Sequence, residues 1–151
     1  MKIFMSMLII TICLVSAPLY AQNIGAVDLD HFLAEKKAII KETVQFTEQE
    51  NKAFWPLYDE YVQTYAKLLK RRADLEKGLF EGNESISEKR AKTIVDEHFA
   101  IESESLKAKL SMLKKMRNVL PEIIVLKFFQ LEEKFEAGLL YQFADSQPVV
   151  K

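Results

Sequence analysis

Phe46-Thr47-Glu48-Gln49-Glu50-Asn51-Lys52-Ala53-Phe54-Trp55-Pro56-Leu57-Tyr58-Asp59-Glu60-Tyr61 decides the fold. Its first residues spell a capping box: the Thr47 hydroxyl can accept from the amide three residues on, while Glu50 reaches back to the amide of Thr47. A helix therefore starts here. Phe54, Tyr58, Tyr61, Tyr65, Leu68 and Leu69 then recur every three or four residues, the period of a helix that buries one face. Lys70, Arg71, Arg72 and Lys77 gather before Gly78, where cations suit the negative end of a helix dipole. The predicted helix covers 48–77, and about 30 residues at 1.5 Å each make it roughly 45 Å long. Pro56 interrupts it, because proline has no amide for the carbonyl of Lys52 and its ring crowds that turn; a bend is expected there.

Working downstream, Gly78, Gly82 and Asn83 mark a turn over 79–85, and Ser87 is the next candidate cap. A third helix is predicted over 88–118, with Ile94, Val95, Phe99, Ile101, Leu106, Met112, Leu113 and Met116 on one broad arc and mostly charged residues opposite. Pro121 suits the first turn of a fourth helix, 121–143, with Ile123, Ile124, Phe128, Leu131, Phe135 and Leu139 on its apolar side. Asp145 to Lys151 is a short tail. Upstream, Leu29, Phe32, Leu33, Ile39 and Ile40 predict a short amphipathic helix over 28–43. Every periodic segment is helical, so the fold class is all-α: one short and three long helices in an elongated antiparallel hairpin or cradle. Folding the second and third helices back about Gly82 places Lys67 level with Glu97, and Glu60 level with Glu104 to Lys107. Such exposed pairs contribute only about 0 to 1 kcal/mol each, so packing must dominate.

The N-terminus reads differently. Lys2 precedes an apolar run from Ile3 to Val15, and Ser16-Ala17-Pro18-Leu19-Tyr20-Ala21 ends on a small residue, the pattern of a secretory signal peptide. The run falls short of the roughly 20 residues that a spanning helix needs. Residues 1–21 are expected to be cleaved after Ala21, leaving 22–151 as a single periplasmic domain with no stable membrane insertion. Cys13 follows Ile12 rather than the small residue of a lipoprotein signal, and no cysteine remains beyond the leader, which excludes disulfides, thiolate metal sites and cysteine nucleophiles. Lys and Arg number 21 against 22 Asp and Glu, which removes the electrostatic case for nucleic acid. Only 4 Gly and 4 Pro beside 49% hydrophobic residues exclude disorder and a turn-rich β fold.

Catalytic chemistry finds little support. Neither His31 nor His98 sits in a metal-fixing spacing. The best cluster is Asp28, Asp30, His31 and Glu35, where His31 and Glu35 share a helix face; the plainer reading is an acidic first turn favoured by the dipole. His98 lies in the apolar arc and reads as a partly buried structural histidine. No Gly-rich phosphate loop, GxSxG or SxxK is present. Adjacent acids such as Asp59/Glu60 and Glu132/Glu133 point in different directions and read as solvated faces. A non-enzyme without cofactor is expected. Phe54, Tyr58, Tyr61 and Tyr65 read as core, whereas Trp55, about 100° off their stripe, either faces a partner or is covered by the first helix. Thin layers of amphipathic helices also invite self-association.

The pattern Phe46-Thr47-x-x-Glu50-x-x-x-Phe54-Trp55-Pro56-x-Tyr58-x-Glu60-Tyr61 resembles a branch of the Spy/CpxP group of small secreted helical proteins. Ile86-Ser87-Glu88 and Lys127-Phe128-Phe129-Gln130-Leu131-Glu132 match as well, and the resemblance runs from His31 to Lys151. The group's LTxxQ hallmark is replaced here by Phe46-Thr47-Glu48-Gln49-Glu50 and Ile86-Ser87-Glu88-Lys89-Arg90. Ile24 to Leu29 also resembles the start of Skp/OmpH-type periplasmic chaperones. The resemblance implies a four-helix, cradle-like periplasmic protein, often a homodimer. Its relatives hold unfolding protein clients without ATP or restrain an envelope stress-sensing system through a membrane sensor domain; some bind metal. A holdase surface would mix basic and apolar groups, which makes Trp55, Lys67, Arg71, Lys107, Lys114 and Lys115 the candidate client surface.

Overall fold

A computed structural model describes residues 28–80 and 86–145. The expected leader, the turn about Gly82 and the tail beyond Asp145 lie outside the described residues. The described residues form four helices, α1 (Leu29–Val44), α2 (Glu48–Phe80), α3 (Glu88–Arg117) and α4 (Glu122–Asp145), and no strand occurs among them. The ends follow local chemistry. Asp28 caps α1 by accepting from the His31 amide, and Gln45 closes it in the left-handed region at φ 55°. The capping box forms as predicted: the Glu50 amide donates to the Thr47 hydroxyl at 3.3 Å and the Thr47 amide to Glu50 Oε2 at 2.8 Å. Ser87 caps α3 through the Arg90 amide. Ahead of α4, the Pro121 carbonyl accepts from the amides of Ile124 and Val125.

Two expectations about α2 need correction. Pro56 does not interrupt it: the helix is continuous to Phe80, with Pro56 exposed between the buried Phe54 and Tyr58. Packing on the inner side offsets the one intrahelical hydrogen bond that proline removes. The pairing with α3 also differs. Glu60 meets Lys115 rather than the Glu104 to Lys107 level, and Glu97 meets Arg71 rather than Lys67; Arg71 also reaches Glu104, and Arg72 pairs with Glu102. Because α2 runs past residue 77, the reversal is centred later than Gly82. The order of these pairs along the two helices is antiparallel.

The core joins Ile40 and Val44 of α1 to Phe54, Tyr58, Tyr61, Tyr65 and Leu69 of α2, Met112 and Met116 of α3, and Ile124, Val125, Phe128, Leu139 and Phe143 of α4. Phe128 is its hub, with ring centroids 5.4 Å from Phe54, 6.3 Å from both Tyr58 and Tyr61, and 5.0 Å from Phe129, all steeply inclined. Edge-to-face pairs of this kind add about 0.5–1.5 kcal/mol each beyond the area they bury.

The α3 arc is only half used. Ile101, Met112 and Met116 are buried, whereas Val95, Phe99 and Leu106, together with Leu110, are exposed. An apolar arc that broad is wider than the face two neighbouring helices can cover. Ile39 falls at the rim of its stripe and is exposed, and Ile123, expected on the apolar side of α4, lies about 160° round from the centre of the buried stripe and is exposed as well. His98 is exposed rather than partly buried.

Candidate functional site

Along α1 the buried stripe runs Leu29, Phe32, Lys36, Ile40, Val44, so a lysine occupies a position where the period calls for an apolar group. The α4 stripe Val125, Phe128, Glu132, Phe135, Leu139 contains one glutamate in the same way. The two meet. Lys36 Nζ lies 2.7 Å from both Glu132 oxygens, with aligned hydrogen-bond geometry only at Oε1; Oε2 touches the ammonium as an ion pair without an aligned donor. The Tyr61 hydroxyl donates to Glu132 Oε1 at 2.6 Å. Lys36 Nζ also lies 4.4 Å from the Tyr65 ring centroid and 5.9 Å from that of Phe135, a favourable placement for a desolvated cation. Tyr58 lies nearby with a buried hydroxyl that has no hydrogen-bond partner among the described residues.

Burial pulls the Lys36 pKa down, opposed by the charge and hydrogen bond of Glu132. Burial pushes the phenols of Tyr58, Tyr61 and Tyr65 up, and the Glu132 charge adds to each. A desolvated lysine has the chemistry of a base or nucleophile, but neither of the two larger grooves reaches Lys36 or Glu132. Tyr61, which donates to Glu132, does line the first of them. The cluster joins α1 to α4 through Lys36 and Glu132 and to α2 through Tyr61.

The accessible features lie elsewhere. A groove of about 350 Å³ between α2 and α3 mixes Leu57 and Met112 with Glu60, Glu104, Lys107 and Lys115. A second, of about 450 Å³, lies nearer the other end of the same two helices and is more apolar, with Leu79, Val95, Phe99, Leu140 and Phe143 in its lining. The expected client surface is thus divided. Lys107 and Lys115 line the first groove, and Arg71 reaches its rim through Glu104, its guanidinium pKa raised by hydrogen bonds to Glu104 and Glu97. Lys67 and Lys114 are exposed outside the lining.

Trp55 is not with them. It is half-buried on the α1 side, its ring against Phe46, Phe54 and Tyr58, its Nε1 donating to Asn51 Oδ1 at 2.9 Å, and Lys37 of α1 lying 5.2 Å from its centroid. Of the two readings left open, cover by the first helix is the one the structure supports. Phe46 stacks on Phe54 at 4.5 Å, so this aromatic motif builds the α1–α2 corner.

The metal candidates do not converge either. His31 Nε2 lies 3.2 Å from Glu35 Oε1 with both side chains largely exposed, and Asp28 is engaged in capping. Among the described residues no group of three His, Cys, Asp or Glu side chains could hold a metal ion, and no described helix is long and apolar enough to cross a membrane. Sequence reasoning missed Lys36 and Glu132. The sign was available: one charge of opposite type in each of two otherwise apolar stripes. No family model matches the chain, and neither a curated protein nor a solved structure does.

Proposed function

We propose that this chain is a non-enzymatic interaction protein of the periplasm, an ATP-independent holdase for envelope proteins, shaped as a helical cradle. The observation that carries the reading is the apolar surface that α3 and α4 leave open: Val95, Phe99, Leu106, Leu110, Leu126 and Tyr141 are each more than half exposed. Surface of that kind beside charged grooves suits partners met first by electrostatic attraction and then held by loose apolar contact. The address rests on the leader-like residues 1–21, and the cradle and holdase activity rest on the resemblance to the Spy/CpxP group.

The test adds the purified chain, without residues 1–21, to two unrelated denaturing clients in the absence of ATP and follows light scattering. Suppression for both at near-stoichiometric ratios supports the proposal; unchanged scattering for both ends it. A second reading, an accessory that binds one envelope sensor domain, is favoured by Val119, Ile123 and Leu126. All three are more than half exposed and fall within eight residues about the α3–α4 corner, a short apolar segment suited to a single partner. Crosslinking in cells to a single membrane protein, lost in Ile123→Glu, would establish it; a broad crosslinking profile would exclude it.

A further inference from the structure

The exposed apolar residues of α3 form a row with a symmetry of its own. At about 100° per residue, Val95, Phe99, Leu106 and Leu110 fall on one strip centred roughly 120° round from the buried Ile101, Met112 and Met116. All four are between 53% and 65% exposed. Reversing α3 about a point between Glu102 and Ser103 exchanges Val95 with Leu110 and Phe99 with Leu106. The same reversal exchanges Glu88 with Arg117, the first and last residues of the helix, which are exposed and lie on the same strip. The centre of the row is thus the midpoint of α3. That is the sequence condition for an isologous two-fold contact, in which residue i meets j and j meets i.

We infer that α3 is the dimerisation helix of this protein, packing antiparallel along its full length against α3 of a second copy. Charge selects the antiparallel sense. Residues 88–104 carry five acidic side chains (Glu88, Asp96, Glu97, Glu102, Glu104) against three basic (Lys89, Arg90, Lys92). Residues 105–117 carry five basic (Lys107, Lys109, Lys114, Lys115, Arg117) and none acidic. Glu97 and Glu104 are held by Arg71, Glu102 by Arg72 and Lys115 by Glu60, all within α2 and α3, and Lys109 by Glu136 of α4. The choice therefore falls to the ends of the strip: an antiparallel pair sets Glu88 against Arg117, whereas a parallel pair would align Arg117 with Arg117 and Glu88 with Glu88. Phe99 meets Leu106 of the other copy on each side of the axis, Val95 meets Leu110 beyond, and Glu88 faces Arg117 at both ends. Arg117, which holds Glu122 within its own chain, would bridge that acid and the incoming Glu88. The inference goes beyond the proposed function and narrows it: Val95, Phe99, Leu106 and Leu110 leave the client surface, the second groove loses the Val95 and Phe99 wall, and Leu126, Tyr141 and the first groove stay open.

Sedimentation equilibrium of the chain lacking residues 1–21 is expected to give a concentration-dependent dimer. Phe99→Glu or Leu106→Glu should weaken it by about 30-fold or more, as for a central contact residue, with the helical circular dichroism unchanged because both positions are exposed. Glu88→Arg should weaken the dimer, and Glu88→Arg with Arg117→Glu should restore it. Because no cysteine follows Cys13, mixing Phe99→Cys and Leu106→Cys chains under oxidation should give the mixed disulfide in excess of the Phe99→Cys homodimer. A monomer at every concentration overturns the inference, as does a dimer indifferent to Phe99→Glu or a preference for the Phe99→Cys homodimer. A monomer that still suppresses aggregation would sink this inference alone; a dimer that suppresses nothing would sink the holdase reading alone.

Discussion

Lys36 of α1 and Glu132 of α4 meet at 2.7 Å with both side chains sealed from solvent. Their attraction has to offset the desolvation of two charges, so the pair says more about where α1 sits than about how stable the protein is. Lys36→Met leaves Glu132 buried and uncompensated and should cost about 3–5 kcal/mol in urea unfolding. Lys36→Met with Glu132→Leu should recover most of that loss. A double variant no better than the single one would show that the pair is more than a positional device.

The three tyrosines around the pair make alkaline unfolding the expected route of denaturation. Tyr58, Tyr61 and Tyr65 have pKa values raised above the usual 10.0 by burial and by Glu132. Their contribution to stability is therefore present below about pH 10 and is lost as the pH climbs beyond it, since the unfolded chain gives up those protons first. Lys36 works the other way: its pKa is lowered from 10.5, so between its folded value and 10.5 the unfolded chain holds the extra proton and stability rises with pH. With three groups against one, net stability should fall above pH 10. Tyrosinate absorbance is expected to rise in step with the loss of helix. A rise that clearly precedes unfolding would show the phenols to be accessible.

Thr47→Ala removes one half of the capping box at the start of α2 and should cost about 1 kcal/mol, as should Ser87→Ala at α3. Thr47→Ser should be nearly neutral. Thermal melts of the three variants make the comparison.

Phe128→Ala should be among the most damaging single changes, at about 3–5 kcal/mol. It empties the contact of one ring with Phe54, Tyr58, Tyr61 and Phe129 at once. Phe99→Ala, a ring of the same size on the exposed row, should cost the monomer under about 0.5 kcal/mol.

The helices themselves were legible, because caps and period act locally. Thr47, Glu50 and Ser87 mark starts that the structure keeps, and each predicted end falls close to the observed one. What could not be read is how much of an apolar arc a neighbour covers. Val95, Phe99 and Leu106 share the composition of Ile101 and Met112, and only the placement of α2 and α4 separates them. Glu132 was misread although the sequence held the sign: beside Glu133 it looks like a solvated pair, yet it falls on the stripe of Phe128, Phe135 and Leu139 that already reads as the apolar side of the fourth helix. Trp55 went undecided because its cover comes from Lys37 on another helix.

The separation of Lys36 and Glu132 along the chain, 96 residues, has a bearing on the order of folding. Most pairings here are between helices adjacent in sequence, and Gln45, Phe46 and Thr47 turn α1 back onto α2 within three residues. Such local contacts form quickly. Glu132, by contrast, lies on the last of the four described helices, so the order expected from chain separation leaves Lys36 solvated until α4 packs against α1. Seating of α1 would then complete the structure rather than nucleate it. Lys36→Met should accelerate unfolding while leaving the refolding rate almost unchanged.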